Sequence, residues 1–252
     1  MEKNIKATTL GTLHKELFFN KKVSIAFDLP TTIVDADFKV LVQIEPPSIK
    51  DIVQMIIYSQ NKFDIIFAWN NDILNKCPNS VLFPFGSCWI NEEDQKINEK
   101  TKEISIIASP ASRTVGHKLR HDIIQSNIME LDLFGGGYNP IENKITALKD
   151  YRFSIIIENE KIDNWFTEKI IDCLMTGTIP IYWGCPNIGN YFDTRGFIIV
   201  DSIEELISKK NMLNETTYSE MLPYIKINFE LAKKYTDFWS RIEEEINKKL
   251  NA

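Results

Sequence analysis

Short runs of β-branched and aromatic residues alternate with helix-like stretches along the chain, and this alternation is the feature that most constrains its fold. Strands separated by helices are typical of parallel sheets in α/β proteins. The run Ile155–Ile157 is wholly apolar, as expected for a strand that is covered on both faces. The predicted strands are 22–29, 39–45, 63–69, 81–86, 103–109, 129–137, 152–159, 178–184 and 196–200. The sequence therefore predicts an α/β fold with mainly parallel sheets.

Composition excludes several classes of protein. With 252 residues, 44% hydrophobic and 25% charged, the chain is not collagen-like, disulfide-rich or largely disordered. A net charge of −6 argues against a nucleic-acid partner, although a few cationic residues could hold a small phosphorylated molecule.

The four cysteines form no CxxC pair and are expected to be free thiols in a reducing compartment. No apolar run approaches the ~18 residues of a membrane span, and no signal-peptide core is visible, so we expect a cytoplasmic protein.

The chain is expected to form two lobes. A polar stretch at 91–103 is the best linker candidate, and it separates an N-terminal lobe, 1–98, from a C-terminal lobe, 99–252. A long helical segment at about 217–250 ends the chain and could pack back on the first lobe. Two α/β lobes predict a cleft between them, with ligands bound at the carboxyl ends of the strands.

Residues 151–184 carry the strongest functional signal. Their strand is followed by Glu158 and Asn159, two polar residues expected at a carboxyl edge. Lys169 falls in the first turn of the next helix, where the helix dipole disfavours a cation. An anion bound there would use the lysine and the free backbone amides together. The simpler alternative is a lysine that extends into water or pairs with Glu168, and the residues alone leave both open.

This segment resembles the donor-binding motif of the α1,3/α1,4-fucosyltransferases, glycosyltransferase family 10. The likeness covers roughly 103–200 at motif level and includes the run TIPIYWG at 178–184. The matching polar and aromatic positions are Glu158, Asn159, Trp165, Thr167, Glu168 and Lys169. The family implies a GT-B-like fold of two Rossmann-like lobes with a cleft between them, which agrees with the organisation predicted above.

The resemblance also implies roles for these residues. Glu168 would accept hydrogen bonds from the ribose of GDP, and Lys169 would contact the diphosphate or the adjacent sugar. Asn159 and Trp165 would lie near the diphosphate and the donor sugar. The chain departs from the family at two positions, because Trp165 replaces a tyrosine and Glu160 replaces a serine.

A second match lies upstream, in the helix that follows the strand 103–109. Family members place a diphosphate-binding arginine at the start of this helix, ahead of a glycine-containing loop that corresponds to Gly135–Gly137. The resemblance assigns this role to Arg120, with Arg113 as its rival. Either suits the chemistry, because a guanidinium stays charged and can hold two phosphate oxygens.

Glu45 is the candidate catalytic base. It ends an apolar strand, and Pro46-Pro47 stop the hydrogen-bond ladder directly after it. The motif Glu45-Pro46-Pro47-Ser48 resembles the family's Glu-Ser-Pro element, whose glutamate is its proposed base. The alternative is an ordinary strand-end residue in a salt bridge. Asp35 and Asp37 form a DxD pattern, but a turn explains them better than a metal site does.

The resemblance implies an inverting glycosyltransferase that moves L-fucose from GDP-fucose to a glycan hydroxyl, with N-acetylglucosamine and an α1,3 linkage as the expected acceptor. No metal or other cofactor is expected, and the partners are a GDP-sugar and an oligosaccharide or glycoconjugate. The alternatives are transfer of another GDP-linked sugar and a non-catalytic GDP-sugar binding protein. A dinucleotide oxidoreductase is disfavoured, because Gly135–Gly137 lacks the GxGxxG spacing.

Overall fold

The computed structural model describes residues 2–3, 17–30 and 35–251. Its contacts divide the chain into two compact units. The first unit comprises Met1–Phe85, Asp163–Trp165 and Asp237–Ala252, and the second comprises Gly86–Ile162 and Phe166–Thr236. The N-terminal stretch of the first unit therefore ends at Phe85 rather than at residue 98, and the unit also includes the last helix. The assignment of acceptor and donor to the two units stays a prediction.

The first unit is built on a parallel four-stranded sheet. The strands of the whole unit are β1 (Glu2–Lys3), β2 (Phe18–Phe19), β3 (Val23–Phe27), β4 (Phe38–Val42), β5 (Ile65–Ala68) and β6 (Ser80–Leu82). The helices of the unit include α1 (Val53–Ser59) and α2 (Asn71–Lys76). The main sheet has the order β3-β4-β5-β6, and β1 pairs with β2 in a separate antiparallel ribbon. Buried aliphatic residues of β4 and β5 form the centre of the core.

The second unit contains a parallel five-stranded sheet in the order β11-β10-β9-β7-β8. Its elements are β7 (Lys102–Ile107), α3 (Val115–Ser126), β8 (Asp132–Phe134), β9 (Tyr151–Ile157), α4 (Glu168–Met175), β10 (Ile179–Trp183), β11 (Ile198–Ile199), α5 (Ile203–Lys209) and α6 (Glu215–Ala232). All seven residues of β9 are buried, which confirms the prediction of a strand covered on both faces. The α/β class with parallel sheets is likewise confirmed.

The C-terminal region consists of two helices rather than one. A short 3₁₀ turn at Lys233–Tyr235 ends α6, and α7 (Phe238–Leu250) begins after Asp237. The carboxylate of Asp237 accepts a hydrogen bond of 2.9 Å from the amide of Ser240, so the new helix has its own N-cap. Apolar residues of α7 pack in the core of the first unit.

The stretch predicted as a linker packs within the second unit through Lys100. The Lys100 ammonium is buried and donates to the carbonyls of Leu148, Lys149 and Thr176 and to the hydroxyl of Thr178, at 2.8–3.3 Å. Thr176 is the C-cap of α4, where a cation also interacts favourably with the helix dipole. The Lys100 side chain therefore links the segment that precedes β7 to the C-terminal end of α4.

Replacing Lys100 by methionine is expected to lower the free energy of unfolding by about 2–4 kcal/mol, because several buried acceptors lose their donor. Urea unfolding followed by circular dichroism measures the change. Lys96→Met is the matched control, since Lys96 is exposed and a surface substitution of this kind changes stability by only about 0.5 kcal/mol or less. Equal effects of the two substitutions would contradict the role assigned to Lys100.

The four cysteines are free thiols, and Cys77, Cys173 and Cys185 are buried. Within the described part of the chain, no helix has both the length and the apolar character needed to cross a membrane.

Candidate functional site

A cavity of about 340 Å³ lies at the carboxyl edge of the second sheet. The strands β7 and β9 end at it, and the first turns of α3 and α4 contribute side chains. Its polar and charged lining residues are Ser109, His117, Arg120, Lys144, Asn159, Glu168, Lys169 and Asp172. Ligands of parallel α/β sheets usually bind at this edge, because loops and helix N-termini meet there.

Glu158 does not face the cavity. It lies beneath the cavity and binds residues at the start of α4. Its side chain is fully buried and accepts hydrogen bonds from the Thr167 amide (2.9 Å) and the Thr167 hydroxyl (2.7 Å). The Lys169 ammonium lies 3.3 Å from the same carboxylate. The sequence predicted that the Glu158 side chain would emerge at the carboxyl edge of the sheet. This prediction is wrong, because the side chain is buried where it binds Thr167 and Lys169 at the start of α4.

Lys169 is held in place by its neighbours. Its ammonium donates to the Thr167 hydroxyl at 2.9 Å and to Glu158 at 3.3 Å, while Glu168 is more distant at 3.8 Å. An ammonium has three donor hydrogens, so one remains for a ligand in the cavity that Lys169 lines. The lysine thus pairs chiefly with Glu158 rather than with Glu168.

Arg120 crosses from α3 to the end of β9. Its Nε and Nη2 atoms donate to the carbonyl of Ile157 at 3.1 and 2.6 Å, and Nη2 also donates to the Asn159 amide oxygen at 2.9 Å. Among the described residues its Nη1 has no hydrogen-bond acceptor, which leaves one fork of the guanidinium for a cavity ligand. Burial lowers the pKa of Arg120, but an arginine starts so high that it stays charged.

The close approach of α3 to this strand end requires a glycine. A Cβ atom on Gly116 would lie 1.7 Å from the carbonyl oxygen of Glu158, and the Gly116 amide donates to the Asn159 carbonyl at 3.1 Å. Any side chain at this position would push α3 away from β9. Gly116 therefore determines how near Arg120 and His117 come to the cavity.

His117 belongs to the cap of α3. Its Nδ1 accepts from the Thr114 amide at 3.3 Å and lies 2.7 Å from the Thr114 hydroxyl, which in turn accepts from the His117 amide. Since Nδ1 accepts from the backbone, the neutral ring carries its proton on Nε2. The ring lines the cavity, and within the described residues its Nε2 atom has no hydrogen-bond partner. His117 therefore offers a donor to a ligand.

Desolvation lowers the pKa of His117 to about 4, and the nearby cationic groups reinforce the shift. The contributing groups are Arg120, Lys169, Arg113 and His121. His117 is therefore neutral near pH 7, and its surroundings favour an anion.

A half-buried lysine bridges two carboxylates at the side of the cavity. Lys144 lies 3.0 Å from both Glu168 and Asp172, and its ammonium is 4.0 Å from the centre of the Trp89 ring. Burial alone would raise the pKa of Glu168, but Lys169 and Lys144 outweigh it and lower the pKa to about 2. Glu168 is therefore an ionised acceptor on the cavity wall.

The predicted site residues are distributed over both units. The cavity brings together Arg120, Asn159, Glu168 and Lys169, whereas Glu158 and Thr167 are buried and support them. Arg113 is exposed and does not line the cavity. Trp165 and Glu45 belong to the first unit, where the buried Trp165 indole donates to the carbonyl of Ile44 at 3.0 Å.

The sequence did not predict four polar residues of the cavity, namely Ser109, His117, Lys144 and Asp172. The spacing Thr114-x-x-His117 resembles a capping box, so it could have placed His117 in the first turn of α3. No comparable signal marks Lys144, which lies far along the chain from its partners. Across residues 2–3, 17–30 and 35–251, no group of three or more His, Cys, Asp or Glu side chains could hold a metal ion.

Comparison with known proteins agrees with these observations. A family model described as glycosyltransferase family 10 (fucosyltransferase) C-term matches residues 97–243, a range that includes every cavity-lining residue except Trp89. The α-(1,3)-fucosyltransferase FucT of Helicobacter pylori is 34% identical over 96 residues, which cover 34% of this chain and 20% of that protein. An α-(1,4)-fucosyltransferase of Arabidopsis thaliana is 30% identical over 79 residues, covering 29% and 20%. The chain thus spans about a fifth of the length of these relatives.

Solved structures support the fold. A crystal structure of an α1,3-fucosyltransferase with GDP-fucose has a TM-score of 0.55 at 18% identity, covering 88% of this chain and 78% of that one. The GtfA/B complex has a TM-score of 0.55 at 13% identity, covering 90% and 57%. These matches confirm the GT-B-like fold class. Because the family model covers more than half of the sequence, the chain belongs to glycosyltransferase family 10, the fucosyltransferases.

Proposed function

We propose that this chain transfers fucose from GDP-fucose to a hydroxyl group of a glycan, with the GDP moiety held in the cavity of the second unit. The observation that carries the proposal is the convergence of Arg120, Lys169 and His117 on one cavity, within the region that matches the family. These groups present donors that suit the oxygens of a diphosphate. Glu168 supplies an ionised acceptor for the ribose hydroxyls.

The proposed reaction is a single displacement. The acceptor oxygen forms a bond to the anomeric carbon of fucose while the bond from that carbon to the β-phosphate oxygen breaks. Glu45 takes the proton of the acceptor hydroxyl, and GDP leaves with the bonding electron pair. Arg120 and Lys169 stabilise the charge that grows on the diphosphate. One displacement inverts the anomeric configuration, and the proposed acceptor is N-acetylglucosamine with an α1,3 linkage.

A screen of donor sugars tests this proposal. The purified chain is incubated with GDP-fucose, GDP-mannose, UDP-glucose or UDP-galactose, with and without a β-galactosyl-N-acetylglucosamine acceptor, and nucleotide release and product mass are measured. Acceptor-dependent GDP release from GDP-fucose, with a product heavier by one fucose, is the expected result. Preference for a UDP-sugar would contradict the proposal. GDP binding without turnover under every condition would favour the non-catalytic alternative.

Binding of a GDP-sugar is expected to take up protons through His117. The bound diphosphate offsets the cationic influence of Arg120, Lys169, Arg113 and His121, and so raises the pKa of His117 from about 4 towards its ordinary value of 6.5. Because the bound state then holds the proton more tightly, affinity rises as the pH falls through this window. A GDP-sugar is the suitable ligand, since its diphosphate diester lacks the phosphate ionisation near pH 6.

Calorimetry in two buffers of different ionisation enthalpy measures this proton uptake. His117→Gln keeps a side-chain donor but cannot take up a proton, so its affinity is expected to stay flat over the same pH range. Equal proton uptake by the wild type and this variant would show that another group titrates.

A further inference from the structure

We propose that Trp165 is a positioning residue for Glu45, acting through the peptide group that precedes the base. The inference rests on the proposed function, since it assigns Glu45 the role of base. It gives Trp165 a task different from the one that the family resemblance implied, which was a place beside the diphosphate and the donor sugar.

The carbonyl group of Ile44 is bound by two indoles. Trp165 donates from Nε1 at 3.0 Å, and Trp69 donates from Nε1 to the same oxygen at 3.3 Å. Both side chains are buried, and their rings lie 6.1 Å apart at an angle of 51°. A carbonyl oxygen has two lone pairs, so these two donors satisfy it completely.

Asp28 binds the N–H group of this peptide and the N–H group of the peptide before it. Its Oδ1 atom accepts from the amide of Ile44 at 2.7 Å and from the amide of Glu45 at 3.2 Å. Asp28 itself is buried and has a φ of 59°, a left-handed conformation that aspartate tolerates better than most residues. The side chain thereby reaches the backbone of the neighbouring strand.

These contacts replace a hydrogen-bond ladder that has ended. Strand β4 finishes at Val42, and Pro46-Pro47 have no amide hydrogens, so Glu45 lies on backbone outside the regular sheet. Side chains fix the backbone that carries Glu45, and a base must be held to a fraction of an ångström to be effective.

Trp165 reaches this peptide because its segment is fastened to the first unit. Its neighbour Asn164 has a φ of 62° and donates to the Trp69 carbonyl at 3.2 Å and to the Asn71 side chain at 3.0 Å. The segment Asp163–Trp165 belongs to the first unit, whereas the chain on both sides of it belongs to the second. With its N–H engaged and only 2% of its surface exposed, Trp165 presents no donor to a bound nucleotide in this structure.

Trp165→Phe tests the proposal, because it removes the N–H donor and keeps an aromatic ring. Its expected effect is a fall in kcat of about 10-fold or more, with the KM for GDP-fucose and the Kd for GDP unchanged. Trp239→Phe is the matched control, since Trp239 is a buried residue of the same unit whose Nε1 has no hydrogen-bond partner in the described residues. It is expected to leave kcat unchanged.

Amide hydrogen exchange supplies a second measurement that does not depend on activity. Exchange at Ile44 and Glu45 is expected to be about 10-fold faster in Trp165→Phe than in the wild type, and unchanged in Trp239→Phe. Unaltered exchange, or a loss confined to GDP affinity, would overturn the positioning role. A wild-type chain that transfers no sugar would instead refute the proposed function, and the exchange rates would still decide whether Trp165 holds the peptide.

Discussion

Glu45→Gln is expected to reduce kcat for fucose transfer by about 10³-fold, because glutamine cannot accept the proton of the acceptor hydroxyl. The Kd for GDP is expected to stay unchanged, since Glu45 lies in the first unit and does not line the cavity. Steady-state kinetics with GDP-fucose and calorimetry with GDP measure the two quantities separately.

Asp51→Asn is the matched control for this experiment. Asp51 is an exposed carboxylate six residues further along the same unit, so the same charge is removed without touching the proposed base. Its kcat is expected to equal that of the wild type. If Glu45→Gln retained more than a tenth of the wild-type kcat, the assignment of Glu45 as base would be wrong.

Lys169→Met is expected to lower kcat/KM for GDP-fucose by about 10²–10³-fold, the usual effect of removing one donor that stabilises transition-state charge. The same change leaves the buried Glu158 without its cation, which destabilises the fold by about 3–5 kcal/mol. Kinetics and thermal unfolding must therefore be measured on the same samples.

The double variant Glu158→Gln/Lys169→Met separates these two effects. Glutamine removes the unpaired buried charge, so stability is expected to recover, while the transfer activity stays low because the donor is still missing. Recovery of activity together with stability would mean that Lys169 acts only in folding.

The sequence predicted the strands of both sheets because each is marked by a local apolar run. Strand β9 is the clearest case, since its residues are buried on both faces. The helices α2 and α5 were missed, because each is only six or seven residues long and buries a single side chain. The two-helix C-terminus escaped prediction because Asp237 acts as an N-cap within an otherwise continuous helical pattern.

The sequence indicated which segments of the chain form the candidate site, but it did not indicate which side chains contact one another there. The pattern around Lys169 left an anion and a simple ion pair both open, and the resemblance indicated Arg120. In the structure both residues line one cavity, together with His117, which was not predicted there. Sequence could not reveal that Glu158 faces inward, because burial of a carboxylate depends on partners that fold around it. Nor could it place Trp165 in the first unit, since that location depends on contacts more than 90 residues apart.

Calorimetry that compares the binding of GDP and GMP to the full chain is the most direct test of the proposed nucleotide site. In the proposed function, the second-unit cavity recognises a diphosphate through Arg120, Lys169 and His117. GDP is therefore expected to bind about 100-fold more tightly than GMP, and Lys169→Met is expected to remove most of this difference. Equal affinities for the two nucleotides, or a difference that persists in Lys169→Met, would contradict diphosphate recognition by this cavity.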